Sequence, residues 1–283
     1  MADIINNIRK DDIIIAFMGP TGSGKSYFID LLTGQIGQRA GSSLASVTSD
    51  IQATRIKHPK YGDRVVLVDT PGFDDTKRSD MEILTLINGW LEKTYKNDVK
   101  LSGLIYLHRI TDNRMAGSPL KNLRMFGNLC GDHAASRVIL VSTMWEKVNP
   151  EVGERREVQL KNDFWKGLIE RGSKVDRLRS SKTQEAWRTV NDLIKTADNR
   201  EVVLLQQEIV DLERKLNETE AGKSLHSDLQ KLLFDQKETL KSLLAQVEKS
   251  DDPRLKAELE KEYKKIQKQF DKTFREVNKM KIR

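Results

Sequence analysis

The sequence predicts a wound α/β domain followed by a helical extension. Three observations carry this: four short continuous apolar runs, helical patterns between them, and a charged tail with one apolar stripe. Residues 13–18 (Ile-Ile-Ile-Ala-Phe-Met) have no polar alternation, as expected of a strand buried on both faces. Residues 65–68, 104–107 and 138–141 repeat that pattern, and residues 51–57 read as a further strand. Between them, residues 25–32, 81–93 and 120–130 space apolar residues three and four apart, as crossover helices do.

From about Asn199 the texture changes. Val202, Leu205, Ile209, Leu212 and Leu216 form one stripe on a segment rich in Glu, Lys, Gln and Arg, and residues 225–247 continue it. Ser250-Asp251-Asp252-Pro253 supplies turn and cap chemistry, after which Leu255, Leu259, Tyr263, Ile266, Phe270 and Val277 mark another helix. The tail therefore reads as an antiparallel helical hairpin or coiled coil. It must pack on itself, on the α/β domain or on another chain, because a single stripe cannot be buried alone. The expected division is a domain over residues 1–198 and a helical extension over 199–283.

Composition excludes several classes. The 283 residues are 37% hydrophobic and 32% charged, and no apolar run approaches the roughly 20 residues of a transmembrane span. The lone cysteine, Cys130, forms no internal disulfide, and residues 1–12 lack a leader pattern, so a reducing, cytoplasmic setting is expected. Net charge is +7, but 49 basic residues face 42 acidic ones, and aromatics do not interleave with a basic stripe, so no nucleic-acid partner is expected. Four scattered histidines give no metal-ligand spacing.

One motif carries chemistry. Gly19-Pro20-Thr21-Gly22-Ser23-Gly24-Lys25-Ser26 is glycine, four residues, then Gly-Lys-Ser, placed between the first strand and a helix. Glycines let the backbone curl so that N–H groups face phosphate oxygens, and the helix N-terminus, reaching Tyr27, adds positive partial charge. Lys25 would neutralise the outer phosphates and Ser26 would ligate Mg²⁺. This is the P-loop NTPase pattern.

Asp69-Thr70-Pro71-Gly72 closes the next strong strand. Asp69 there can hold Mg²⁺ through water, and Gly72 can present its N–H to a γ-phosphate. Within the polar segment 41–50, Thr48 is taken as the residue that closes on Mg²⁺ and the γ-phosphate, with Ser46, Ser49 or an unliganded loop as competing readings.

With these residues the sequence resembles P-loop GTPases (Ras-like G domains) of the septin-like and immunity-associated, or paraseptin, branch. It is especially similar to fungal single-domain G proteins of that branch. The resembling segments are 15–26, 68–75 (Val-Asp-Thr-Pro-Gly-Phe-Asp-Asp) and 105–110 (Ile-Tyr-Leu-His-Arg-Ile). The resemblance implies GTP and GDP as ligands, Mg²⁺ as cofactor and domains that pair across their nucleotides. On that implication, Arg109 or Arg114 would reach a partner's phosphates, with His108 as another candidate.

Two departures follow. Phe73 stands where many small GTPases have the glutamine that orients water, so hydrolysis needs another group, for which Asp74, Asp75 or the backbone near Gly72 are candidates, or is slow. The base motif is also altered. After residues 138–141 come Ser142-Thr143-Met144-Trp145-Glu146, so Thr143 replaces asparagine and Glu146 stands in for the aspartate that reads guanine. Trp145 either stacks on the base or packs. A last base-contacting loop is expected at residues 167–173, with Gly172 and Ser173 near the purine and Arg171 as a stacking candidate.

The expected activity is Mg²⁺-dependent hydrolysis of GTP, in a switch or assembly protein that forms a homodimer across the nucleotide face or meets a partner through its tail. The alternatives are a nucleotide-binding scaffold with negligible turnover, and an ATPase or broad nucleoside phosphatase.

Overall fold

The computed structural model describes residues 8–35, 50–73, 78–97, 99, 101–113, 118–180, 182–195, 216–249 and 252–282. Six strands form one sheet: β1 (Ile13–Met18), β2 (Gln52–His58), β3 (Gly62–Asp69), β4 (Gly103–Arg109), β5 (Val138–Thr143) and β6 (Lys174–Arg177). Their order is β2-β3-β1-β4-β5-β6, with β2 antiparallel to β3 and every other pairing parallel.

The continuous apolar runs are explained by the two faces of this sheet. Ile14, Ala16 and Met18 enter one core cluster, while Ile13, Ile15 and Phe17 enter the other. Val66 and Val68 separate from Val65 and Leu67 in the same way, as do Leu104 and Tyr106 from Ile105 and Leu107. Strand side chains alternate with a period of two, so a strand covered on both faces needs apolar residues at every position.

Helices α1 (Lys25–Thr33) and α6 (Thr183–Ile194) cover one face through Phe28, Ile29, Val190 and Leu193. The other face is covered by α2 (Asp80–Lys96) and α3 (Ser118–Cys130), with Ile83, Leu84, Ile87, Leu123 and Phe126 buried. Ser79 and Glu82 start α2 with a reciprocal capping box, which satisfies two backbone donors at once. The short helices α4 (Pro150–Gln159) and α5 (Lys166–Glu170) lie between β5 and β6.

The tail forms the expected hairpin. Helices α7 (Glu220–Lys249) and α8 (Pro253–Ile282) pack together, each 30 residues and therefore about 45 Å long. Asp252 accepts from the Arg254 N–H at 2.8 Å and Pro253 opens α8, so the cap read from sequence starts that helix. The hairpin also folds back on the domain. Ala221, Leu225 and Leu229 of α7 and Val277 of α8 join the core cluster beneath α2 and α3. The stripe at Val202, Leu205, Ile209 and Leu212 lies outside the described residues, whereas Leu216 is buried in that cluster. Among the described residues, no helix is long and apolar enough to cross a membrane.

Candidate nucleotide-binding site

The parallel register brings the carboxyl ends of β1, β3, β4 and β5 to one edge, and the glycine-rich loop crosses it between β1 and α1. Gly19 has a φ of 137°, and a Cβ there would lie 2.4 Å from the Leu107 carbonyl oxygen, so only glycine lets the loop turn against β4. Lys25 is 6% exposed and its Nζ donates to the Gly19 and Pro20 carbonyls, both at 3.0 Å. Its charge is thus held at the mouth of the loop, where phosphate oxygens would compete for the same donors.

The loop is braced from both sides. Thr143 Oγ1 donates to the Ser23 carbonyl at 2.9 Å and to the His108 carbonyl at 3.3 Å. The Ser23 hydroxyl is buried without a hydrogen-bond partner, while the Ser23 N–H donates to the Pro20 carbonyl at 3.1 Å. Tyr27 packs partly buried beside the α1–α6 core. Gly22 and Gly24, both at positive φ, complete the cradle.

Ser26 and Asp69 converge, Oγ donating to Oδ2 at 2.7 Å. A hydroxyl and a carboxylate are hard oxygen donors suited to Mg²⁺, which takes few protein ligands and completes its shell with water and phosphate. The residues present therefore fit that ion. Thr70 Oγ1 donates to the Phe17 carbonyl at 2.8 Å and fixes the strand end. Gly72 then lies against Thr21: the Thr21 hydroxyl donates to the Gly72 carbonyl at 3.1 Å and the Thr21 N–H to the Phe73 carbonyl at 2.9 Å. Phe73 is fully buried, so it packs beneath this loop and has no access to a water molecule. Thr48, Asp74, Asp75 and Arg114 lie outside the described residues.

At the base end, Met144 takes a left-handed conformation (φ 62°) and Glu146 is exposed on the turn Trp145–Lys147. Of the two readings of Trp145, the geometry gives packing. Its Nε1 donates to the Ser142 carbonyl and hydroxyl at 3.2 and 3.0 Å, and the Arg177 guanidinium covers its ring at 4.5 Å. Arg177 also pairs with Glu157, which is buried. Burial pushes the Glu157 carboxyl up, but hydrogen bonds from Arg177, Lys161 and Ser142 together hold it below its ordinary range.

One sequence expectation is overturned. Gly172 and Ser173 precede β6 instead of following it, and they pack at the far end of the sheet. Ser173 Oγ donates to the Ala135 carbonyl at 2.8 Å, and a Cβ on Gly172 would meet Ser136 at 3.5 Å. Arg171 binds Gly167 and Asp132 there, so it cannot stack on a base. The loop at the nucleotide edge is instead Leu178-Arg179-Ser180, where Leu178 N–H donates to Ser142 and both Arg179 and Ser180 N–H groups donate to Glu185. The β6 segment Lys-Val-Asp-Arg has too little apolar content to have marked the loop after it.

His108 is 2% exposed and edge-on to Trp165 at 6.3 Å. Burial, only partly offset by Asp112, pushes its imidazole down to about 4, so it is neutral at physiological pH.

The comparisons agree with this geometry. Residues 14–124 match the family model described as 50S ribosome-binding GTPase. A curated relative, the small ribosomal subunit biogenesis GTPase RsgA of Clostridium botulinum, is 31% identical over 108 residues, which is 38% of this chain and 36% of the relative. The chain thus matches about a third of that relative's length. Among solved structures, a dimerization-deficient mutant of Toc33 from Arabidopsis thaliana superposes with a TM-score of 0.52 at 17% identity, covering 68% of this chain and 87% of Toc33. Toc33 in complex with GDP and Mg²⁺ gives 0.50 at 18% identity, with the same coverage. At these identities the likeness concerns the fold. Fold and loop together define the class, an α/β P-loop GTPase fold with a C-terminal helical hairpin.

Proposed function

We propose that this chain binds GTP with Mg²⁺ and hydrolyses it to GDP and phosphate, as a switch or assembly GTPase. The observation that carries the reading is the Ser26–Asp69 contact at 2.7 Å beside the Lys25-bearing loop. Residues 1–198 form the nucleotide-binding domain and residues 199–283 the helical extension in this reading. Lys25 and the backbone from Gly19 to Tyr27 hold the phosphates, and Ser26, Asp69 and Thr48 hold Mg²⁺. When bound, the metal neutralises charge on the phosphates. Gly72 offers its N–H to the terminal phosphate, Asp74 is the candidate for positioning water, and Glu146 with Thr143 meets the base end. Leu178 to Ser180 replace Gly172 and Ser173 in that role.

A change at Gly72 has a route to the tail. Helix α2 starts eight residues after Gly72, and its buried face shares one core cluster with Leu225 and Leu229 of α7 and Val277 of α8. Nucleotide state would thereby bias how the hairpin docks, or how a protein partner meets it. A homodimer across the nucleotide face belongs to the same proposal; for atToc33 and psToc159, dimerization is important for GTPase activity. Placement in the septin-like, paraseptin branch near fungal single-domain G proteins rests on the segments quoted above, and the cytoplasmic setting on the single cysteine.

The test is multiple-turnover hydrolysis of GTP, GDP and ATP with and without Mg²⁺, at several protein concentrations. GTP-selective, Mg²⁺-dependent turnover is expected, and it should vanish in Lys25→Ala. The burial of Phe73 favours a second reading, a nucleotide-binding scaffold with negligible turnover. Tight GTP binding without phosphate release would select it, and equal use of ATP would select a broad nucleoside phosphatase.

A further inference from the structure

Arg109 ends β4 beside the glycine-rich loop of its own chain. Its Nη1 lies 3.3 Å from where a Cβ on Gly22 would be, so the guanidinium rests directly over the bare backbone of the cradle. The guanidinium therefore points into the loop of its own chain.

The segment after β4 is fastened so as to keep it there. Asp112 N–H donates to the Arg109 carbonyl at 3.2 Å, and the Arg156 guanidinium binds the Ile110 carbonyl at 2.9 Å and the Asn113 side chain. Arg109 pairs in register with Thr143, whose hydroxyl grips the Ser23 carbonyl in the same loop. Asp112 Oδ1 faces Arg109 Nε at 3.0 Å as an ion pair that is not aligned for a hydrogen bond. The carboxylate thus holds the cation near the loop without saturating its donors. A fixed cation at this distance stabilises phosphate charge with little reorganisation, which is what electrostatic preorganisation requires.

We propose that Arg109 acts in cis, as a second positive charge on the phosphates beside Lys25, with Asp112 and Arg156 positioning it. The proposal rests on the nucleotide-binding reading above and replaces the partner-supplied role that the resemblance implied for this residue. It also gives a chain whose Phe73 is buried a source of transition-state charge stabilisation, since an arginine at the phosphates accelerates hydrolysis by roughly 10³ to 10⁵-fold where it has been measured.

The experiment compares wild type, Arg109→Ala and Arg109→Lys for GTP, GDP and GMP affinity and for GTP turnover, alone and mixed with Lys25→Ala protein. Lys25→Ala carries Arg109 but lacks the lysine needed to bind nucleotide. Arg109→Ala should lose at least about tenfold in GTP affinity or turnover, with the loss shrinking from GTP to GMP, and Arg109→Lys should recover part of it. Adding Lys25→Ala protein should restore nothing. Restoration on mixing would overturn the proposal in favour of a partner-supplied arginine, and unchanged affinity and turnover in Arg109→Ala would reduce Arg109 to a surface ion pair. Wild-type protein that binds no GTP would instead remove the nucleotide-binding reading itself.

Discussion

The hydroxyl of Ser26 donates to Asp69 Oδ2 at 2.7 Å, joining the first turn of α1 to the last residue of β3 across 43 positions of sequence. The parallel pairing of β1 with β3 makes this meeting unavoidable, because Phe17 and Asp69 are register partners and α1 starts eight residues after Phe17. Asp69→Asn keeps the shape and a hydrogen bond but removes the charge a divalent ion needs. Its GTP affinity should fall by about tenfold or more with Mg²⁺, or ~1.4 kcal/mol, and change little in EDTA. Calorimetric titrations under the two conditions check this, and equal losses in both would argue against a metal role.

Gly72 leaves no space for a side chain. A Cβ would approach the Thr21 Cα and backbone nitrogen at 2.6 Å, and neither can move without breaking the Thr21–Phe73 hydrogen bond. Gly72→Ala should therefore cost about 1–3 kcal/mol, the range for overpacking, and weaken GTP binding more than GDP binding. Thermal melts with each nucleotide measure it; an alanine variant with wild-type melting and affinity would show that the contact is not kept in solution.

Much of this was legible because burial writes itself into composition. β1 reads directly from its six apolar residues, and the start of α8 reads from Asp252-Pro253. β6 does not, since an edge strand of four mostly charged residues meets no core on its open side, and the base loop was consequently sought at the wrong end of the sheet. The Arg177–Glu157 pair is equally silent in sequence: it is made by a turn of α4 and the edge strand, with no periodic spacing between them. Phe73 illustrates the middle case. Its chemistry, an inability to orient water, and its packing under the loop both follow from residue type, while the completeness of its burial needed the fold.

Glu157 makes stability depend on acidity. Although burial opposes its charge, three hydrogen-bond donors hold its folded value below the ordinary glutamate value of about 4.3. Its contribution is therefore fully present at neutral pH and is lost as pH falls from that value through the lower folded one. Glu157→Gln should flatten the acid limb of the melting profile, and Glu157→Ala should cost about 1–3 kcal/mol by removing the main partner of Arg177, which lies against the Trp145 ring. Melting temperatures from pH 7 to 3 test this, and parallel profiles for wild type and Glu157→Gln would refute it.

The contact of the hairpin with the domain divides into a part that matters and a part that does not. Val277 is 4% exposed in the core cluster, whereas Lys279 and Glu82 are both at least half exposed at 3.8 Å. An exposed ion pair contributes about 0–1 kcal/mol, so Lys279→Ala should leave melting nearly unchanged. Val277→Asp places a charge among apolar side chains with no partner and should release the end of α8 from α2 and α3. Limited proteolysis should then cut the tail at lower protease concentration in Val277→Asp than in wild type, with Lys279→Ala indistinguishable from wild type. If GTP-bound and GDP-bound wild type also differ in that cleavage, the hairpin reads the nucleotide through α2; identical patterns in both states would separate the tail from the switch.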